Sequence, residues 1–170
     1  YLNDVLRAIR DVNQLITHEN DTQRLIQRSC DLLVKSRAYE SAWILLVDAE
    51  RNFLSADSAG LKEIMERLID LFKKGDYPQW VEEAFQEKQF IVYKPIGKQH
   101  PGCLMADVHA QNGAFRHRLE YEGKVYGVIG VTGLPEVAAD KEEQGLFQEL
   151  AGDISYALAS IERAEEHEQA

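Results

Sequence analysis

The chain has 170 residues and a mass of 19.4 kDa, and it is 45% hydrophobic and 28% charged, which fits one ordinary globular domain. Its formal net charge of −10 argues against nucleic acid and anionic membranes as partners, because both need a basic surface. No apolar run approaches the ~20 residues that span a bilayer, no signal peptide is recognisable, and two cysteines are too few for a disulfide scaffold, so we expect a cytoplasmic protein with no direct membrane insertion.

The first part of the chain predicts two helices followed by two strands. Apolar residues at heptad spacing predict a helix over residues 2–17, and an amphipathic pattern predicts a second helix over residues 22–38. Ala42–Val47 is continuously apolar, which is typical of a strand buried on both faces. We expect Phe53–Ser58 to return beside it as a second strand.

The middle of the chain predicts two more helices, a short strand and a long loop. Leu61–Lys74 carries one apolar stripe and is followed by Gly75, a common helix terminator. Pro78 is typical of the start of a short helix. Phe90–Tyr93 predicts a strand, and Gly97–Gly113 predicts a loop with a possible helical turn.

The last part predicts a β-hairpin and a long helix. Ala114–Tyr121 alternates as a strand, and Lys124–Thr132 has the pattern of a central strand, so the two form a hairpin. A capping box that begins at Asp140 starts a helix that runs to the C-terminal end. The whole pattern is α+β with a mainly antiparallel sheet. One face of the alternating strand carries Phe115, His117, Leu119 and Tyr121, and the other carries Ala114, Arg116, Arg118 and Glu120.

The terminal helices carry apolar stripes that packing within a single domain is not expected to bury completely. Both stripes follow the spacing of a heptad seam, and the last helix extends beyond the core from about Ile161. A second copy of the chain would bury this tail, so the pattern favours a homodimer through the terminal helices. The acidic residues that dominate the chain after Glu136 are interpreted as a solvated helix face.

Residues 123–161 resemble the C-terminal half of a GAF domain. The segment reads GKVYGVIGVTGLPEVAADKEEQGLFQELAGDISYALASI. Its first part resembles the strand pattern G-x-x-x-G-x-[ILV]-x-[ILV], and its second part resembles the helix start D-x-E-E-x-x-L-F-x-x-[LIV]-A. The matching residues are Gly123, Gly127, Ile129 and Val131 in the strand, and Asp140, Glu142, Glu143, Leu146, Phe147, Leu150 and Ala151 in the helix.

The resemblance covers nearly the whole chain and implies a fold and a role. The implied fold is GAF-like (profilin-like): a central antiparallel sheet has the N- and C-terminal helices on one face and a pocket-forming layer of helix and loop on the other. The chain is similar to GAF domains in sensor histidine kinases of bacterial and archaeal two-component systems. The resemblance therefore implies one sensory domain over residues 1–170, with 1–17 and 145–170 as signalling and dimerisation helices. Such a domain binds a small ligand or senses redox state, and it signals to a kinase or other output domain in cis.

The expected ligand site is a concave pocket between this sheet and the helix–loop layer. A thiolate and imidazoles near the loop suit haem iron, so haem is a possible cofactor and a bilin a less favoured one. The paired arginines either clamp a carboxylate or phosphate, or pair at the surface with the acidic helix. The expected ligand-binding residues are Trp43, Tyr93, Cys103, His109, Arg116, His117 and Arg118, and the possible ligands of haem iron are Cys103, His109 and His117.

Simpler interpretations of the same residues stay open. Trp43 is also expected as plain core, and Cys103 as an ordinary loop thiol beside solvated histidines. The loop of the similar GAF domains often carries Cys-Pro-Leu, whereas here Pro101 precedes the cysteine. Isolated Cys and His residues without paired short spacings do not predict a zinc site.

Catalysis is not expected of this domain. The chain has no phosphate-binding glycine loop, no G-x-S-x-G and no H-E-x-x-H. The free methionine sulfoxide reductases, which are enzymes with the GAF fold, need a nucleophilic cysteine. Cys30 lies in an amphipathic pattern typical of a buried cysteine, which leaves Cys103. A thiol enzyme of that type and a ligand-free dimerisation module are the two alternative functions.

Overall fold

The computed structural model describes residues 2–36, 39–87, 91–93, 113–133 and 141–169. Its helices and strands follow the predicted order. The predicted helical turn near Leu104–His109 lies outside the described residues. The helices are α1 (Leu2–His18), α2 (Thr22–Lys35), α3 (Lys62–Lys73), α4 (Gln79–Gln86) and α5 (Lys141–Gln169). The strands are β1 (Ser41–Val47), β2 (Phe53–Ala59), β3 (Ile91–Tyr93), β4 (Gly113–Tyr121) and β5 (Lys124–Gly133).

The five strands form one antiparallel sheet in the order β2-β1-β5-β4-β3. β1 lies between β2 and β5, and all seven of its residues are buried. This position explains its continuous apolar run, because successive side chains of a strand enter opposite faces of the sheet. The predicted α+β class and the strand covered on both faces are therefore confirmed. Trp43, Leu45 and Val47 enter the core on one face, and Ala42, Ile44 and Leu46 enter the core on the other.

The terminal helices share one face of the sheet with α2. α1 packs on α2 and α5 and buries Val5, Ile9 and Val12. α5 lies on β4, where the ring of Phe147 is 5.7 Å from the ring of Phe115. The first apolar core therefore joins both terminal helices to the sheet.

α3 and α4 cover the opposite face and form a second apolar core. The β1–β2 turn is fastened to this layer, because the Tyr77 hydroxyl donates to the backbone oxygen of Arg51 at 2.7 Å. The Arg51 guanidinium also lies 5.0 Å above the ring of Phe85. The sheet is thus packed on both faces by helices. The helical members of this core are Met65, Leu68 and Phe72 from α3, and Trp80, Val81, Ala84 and Phe85 from α4.

A glycine in β5 gives the Trp43 indole its place on the sheet. Trp43 of β1 pairs in register with Gly130 of β5. A Cβ added to Gly130 would overlap the indole ring. Glycine at this position therefore lets the indole lie across the neighbouring strand and reach α4.

Replacing Gly130 with valine is expected to lower the free energy of unfolding by about 1–3 kcal/mol, because the added carbons displace the Trp43 indole. Urea denaturation measures this difference. Gly152→Ala in α5 is the matched control, because an added Cβ there meets no atom of the described residues within 4 Å. Alanine should stabilise the helix by about 1 kcal/mol relative to glycine. A Gly130→Val protein as stable as the wild type would contradict the close approach.

Candidate functional site

β4 places the predicted site residues on two different faces of the sheet. The Arg116 guanidinium lies over the ring of Trp80, on the α4 side. Phe115 contacts Phe147 on the α5 side. The alternation predicted for this strand is confirmed. As a result, His117 borders a groove beside α5, whereas the guanidinium of Arg118 reaches α4 on the other face of the sheet.

A stack of two tryptophans and one arginine forms the centre of the α4 side. The rings of Trp43 and Trp80 meet edge to face, with centroids 5.4 Å apart and planes at 72°. The Arg116 guanidinium lies 4.6 Å above the Trp80 ring, and only 1% of the residue is exposed. Attraction between a cation and an aromatic ring is stronger at such a desolvated position than at the surface. The structure thus brings two predicted site residues, Trp43 and Arg116, together through Trp80.

The sequence predicted a short helix after Pro78 but did not identify Trp80 as a site residue. Its contact with Arg116 joins residues 36 positions apart. Two signals were available in the sequence: a second tryptophan on the apolar stripe of α4, and a strand that carries arginines on one of its faces. That signal did not specify which residues would meet.

Arg118 fastens the C-terminal end of α4 to β4. Its Nη1 donates to the backbone oxygen of Phe85 at 2.9 Å, and its Nη2 forms an ion pair with Glu120. A cation at the C-terminal end of a helix also interacts favourably with the helix dipole. Both Arg116 and Arg118 are buried on the α4 side, so the alternative of surface pairing with the acidic C-terminal helix is wrong.

His117 borders a groove between β4 and α5. Its Nδ1 donates to the backbone oxygen of Arg118 at 2.6 Å. Partial burial is the largest effect and lowers the pKa of the imidazole, while the hydrogen bond to the Arg118 carbonyl opposes it. The positive charge of Arg118 lowers the pKa further, and Glu120 has the smallest, opposing effect. The groove has a volume of about 370 Å³ and is lined on the α5 side by Gln148, Gly152 and Ser155.

Of the other predicted ligand residues, only Tyr93 lies among the residues that the structure describes. Tyr93 belongs to β3, where it pairs in register with Ala114. Cys103 and His109 lie outside the described residues, so of the three possible ligands of haem iron only His117 has a described position. Within the ranges that the structure describes, no three His, Cys, Asp or Glu residues come together as a metal site, and no helix is long and apolar enough to cross a membrane.

Cys30 is buried in the first core, as its place in an amphipathic helix predicted. It is 0% exposed, and its Sγ lies 3.8 Å from the backbone oxygen of Asp57. Burial raises the pKa of the thiol well above its usual value, and the charges of Asp57 and Asp31 raise the pKa further. The thiolate form that acts as a nucleophile is therefore disfavoured here.

Comparisons with known proteins identify the fold. No protein-family model and no curated protein matches the sequence. The GAF domain of a phosphoenolpyruvate-protein phosphotransferase from Acinetobacter has a TM-score of 0.67 at 14% identity, covering 93% of this chain and 94% of its own. A GAF domain attributed to a sensor histidine kinase from Pseudomonas syringae pv. tomato has a TM-score of 0.60 at 14% identity, covering 96% and 92%. The free methionine-R-sulfoxide reductase from Neisseria meningitidis has a TM-score of 0.67 at 13% identity, covering 94% and 91%. The chain therefore has the GAF fold, as the sequence resemblance implied.

Lowering the pH is expected to destabilise the protein through His117. Because its pKa is lower in the folded than in the unfolded chain, the unfolded state binds the proton first. The free energy of unfolding should therefore not be lowered by His117 above about pH 6.5, which is the pKa of a histidine in the unfolded chain. It should fall as the pH drops below that value. Urea midpoints at about pH 7.5 and about pH 5.5 measure the change. The change should shrink in His117→Gln but not in the control His18→Gln, whose side chain is exposed. An equal change in both variants would contradict the assignment.

Proposed function

We propose that the chain is a sensory GAF module of a signal-transduction protein, of the kind found in sensor histidine kinases. A small ligand or a redox event on the α4 side of the sheet shifts the sheet, and the terminal helices relay that shift to an output domain in cis. The module acts as a homodimer through those helices. The fold shared with a GAF domain attributed to a sensor histidine kinase supports this role.

The observation that carries the proposal is the position of two consecutive residues of β4. Arg116 lies on Trp80 of α4, and Phe115 lies against Phe147 of α5. The two side chains are attached to neighbouring backbone positions of one strand. A ligand that displaces Arg116 therefore shifts the strand segment that contains Phe115. This shift changes how α5 packs on the sheet.

The proposed ligand site centres on the stack of Trp43, Trp80 and Arg116. A guanidinium can stack on an aromatic ring and at the same time bind a carboxylate or phosphate group in its own plane. This chemistry favours an anionic ligand, and it includes haem because haem carries carboxylates. We place Tyr93, Cys103 and His109 at the same site as further ligand-binding residues. Arg118 contributes indirectly by positioning α4, because its side chain donates to the Phe85 carbonyl oxygen and forms an ion pair with Glu120.

Titration with three probes tests the proposal: haemin, citrate and inorganic phosphate. Both tryptophans of the chain lie in the proposed site, so an occupant changes their fluorescence. Hydrogen exchange around Phe147 is measured in the same samples. We expect one probe to bind saturably and to alter exchange in α5. Its affinity should fall by at least about tenfold in Arg116→Met, because a charge-assisted hydrogen bond contributes about 1.4 kcal/mol or more.

The control variant is Arg67→Met, which removes an exposed arginine of α3. It should bind the same probe as well as the wild type does. Binding that leaves exchange in α5 unchanged would contradict the relay. If no probe binds saturably, the ligand-free dimerisation module becomes the better account of the chain.

A thiol enzyme of the free methionine sulfoxide reductase type is the alternative, since the Neisseria enzyme shares the fold. The burial of Cys30 and its raised pKa argue against a role for it as nucleophile or resolving partner. Cys103 would have to carry the reaction. NADPH-linked turnover of free methionine sulfoxide with a thioredoxin system, lost in Cys103→Ser, would favour the enzyme.

Cys30 is expected to be inert in the folded protein. In a Cys103→Ser background, which leaves Cys30 as the only thiol, Ellman's reagent should label it more than about tenfold more slowly in buffer than in urea, because labelling requires opening of the first core. Thiolate release at equal protein concentration gives both rates. Fast labelling of the folded chain would show that Cys30 is accessible and would return it to consideration as a nucleophile.

A further inference from the structure

A small pocket lies where the last helix leaves the sheet. It has a volume of about 160 Å³ and lies between the start of α2, the end of β1, the start of β2, β5 and α5. This volume has room for about five groups of the size of a water molecule. Its walls are mainly apolar, and two glutamates of α5 complete them. The residues that line it include Leu46, Leu54, Tyr126, Leu158, Glu162 and Glu165.

A β-bulge places Leu54 at the mouth of this pocket. Leu46 of β1 pairs with Ser55, and Val47 pairs with Phe53, so Leu54 is an extra residue in β2. Such a bulge changes the direction in which a side chain points. Leu54 is 61% exposed and also lines the pocket, so it offers apolar surface to an occupant.

The α5 side of the pocket changes from apolar to acidic along one face of the helix. Leu158, Glu162 and Glu165 follow one another at spacings of four and three residues, so they share that face. Leu158 is buried, Glu162 is half-buried and Glu165 is exposed. The pocket is therefore apolar at its base and negatively charged where it opens to solvent.

The contacts of Lys124 indicate which charged group suits this place. Its Nζ lies 2.7 Å from both carboxylate oxygens of Glu162 and 5.1 Å from the centre of the Tyr126 ring. The hydrogen bond to Glu162 is the largest effect on the pKa of Lys124 and raises it. A carboxylate of α5 and an aromatic ring thus stabilise an ammonium together. Glu165 lies one turn further along, and no cation of the described residues lies within ion-pair distance of it.

We propose that the pocket binds a lysine side chain from a basic segment of a partner protein. The methylenes of the lysine lie against Leu54, Leu158 and Tyr126, and its ammonium pairs with Glu165. Four methylenes and one ammonium match the room that the pocket offers. A compact ammonium on a flexible stem also fits a narrow pocket better than the planar guanidinium of arginine does. This inference goes beyond the proposed function, because it concerns a different site on the terminal-helix side of the sheet.

Charge complementarity favours a basic segment over a single amine. The acidic surface extends beyond the pocket, because Glu166 and Glu168 are also exposed in the last turns of α5. The chain as a whole has a net charge of −10. A single ammonium meets one of these carboxylates, whereas a segment with several basic residues meets more of them at once. Several positive charges on one partner also steer its approach to an acidic surface.

Fluorescence anisotropy of a labelled peptide tests the insertion with the 170-residue chain. The probe is a hexapeptide in which lysine alternates with glycine. In the matched probe, diaminobutyric acid replaces each lysine, which keeps the charge but removes two methylenes from each side chain. We expect the lysine probe to bind saturably and the shorter probe to bind at least about fivefold more weakly, because fewer methylenes enter the pocket.

Two exposed side chains of the pocket are changed, each with a matched control. Leu54→Ser should weaken binding of the lysine probe by about fivefold or more. Leu6→Ser removes a leucine of α1 that is 46% exposed and should leave binding unchanged. Glu165→Gln should weaken binding by about threefold, because it removes an exposed ion pair. Glu149→Gln changes an exposed glutamate near the start of α5 and should have no effect.

A coupling between peptide and protein separates insertion from general attraction of charges. The loss caused by Leu54→Ser should largely disappear with the shorter probe, because its side chains do not reach along the pocket wall. Circular dichroism establishes that each variant is folded.

Three outcomes would overturn the inference in different ways. Equal binding of the two probes, or full binding of the lysine probe to Leu54→Ser, would leave only general attraction to an acidic surface. Free cadaverine that binds as tightly as the lysine probe would replace the partner segment with a small amine. Absence of saturable binding at about 1 mM probe would refute the site altogether. The anionic ligand of the α4 side is decided separately by the tryptophan titration.

Discussion

The pleat of β4 is the constraint on which the rest of the structure depends. Successive side chains of a strand point to opposite faces, so Phe115 enters the core of the terminal helices while Arg116 enters the layer of α4. The close-packed cores on both sides leave little room for one residue to move without the other. The sheet therefore does not separate the two helix layers. It connects them through adjacent residues of a single strand.

The two buried arginines of β4 set the position of α4 in different ways. A buried guanidinium is costly unless charges, hydrogen bonds or a π-face replace its water. Arg118 meets this need with Glu120 and the last turn of α4, and Arg116 lies on Trp80. The Trp80 ring in turn contacts Trp43, which occupies the space that Gly130 leaves open. A change at any of these groups alters the contact between α4 and the sheet.

The sequence predicted the fold well because its signals are local. The continuous apolar run of Ala42–Val47, the alternation of β4 and the amphipathic stripes each follow from the period of one element. The site was predicted less well, because its contacts depend on how elements pack. Alternation already separated His117 from Arg116, yet the two were grouped in one ligand set. Alternation already puts Glu120 on the same strand face as Arg118, but the other partner of Arg118, the Phe85 carbonyl on α4, does not follow from spacing.

The geometry of α5 lets one side of the helix pack on the sheet while the other side stays exposed. Phe147 and Glu149 are two residues apart, which is about 200° around a helix, so they lie on nearly opposite sides. Phe147 is buried against β4, whereas Glu149 is exposed. A small rotation of α5 that follows Phe115 therefore moves the inner and outer faces in opposite directions. A strand displacement too small to disturb the core reaches the outer surface as a lateral shift of the acidic side chains. In the proposed homodimer the terminal helices of two copies meet, so such a shift would change the distances between the charges of the two copies.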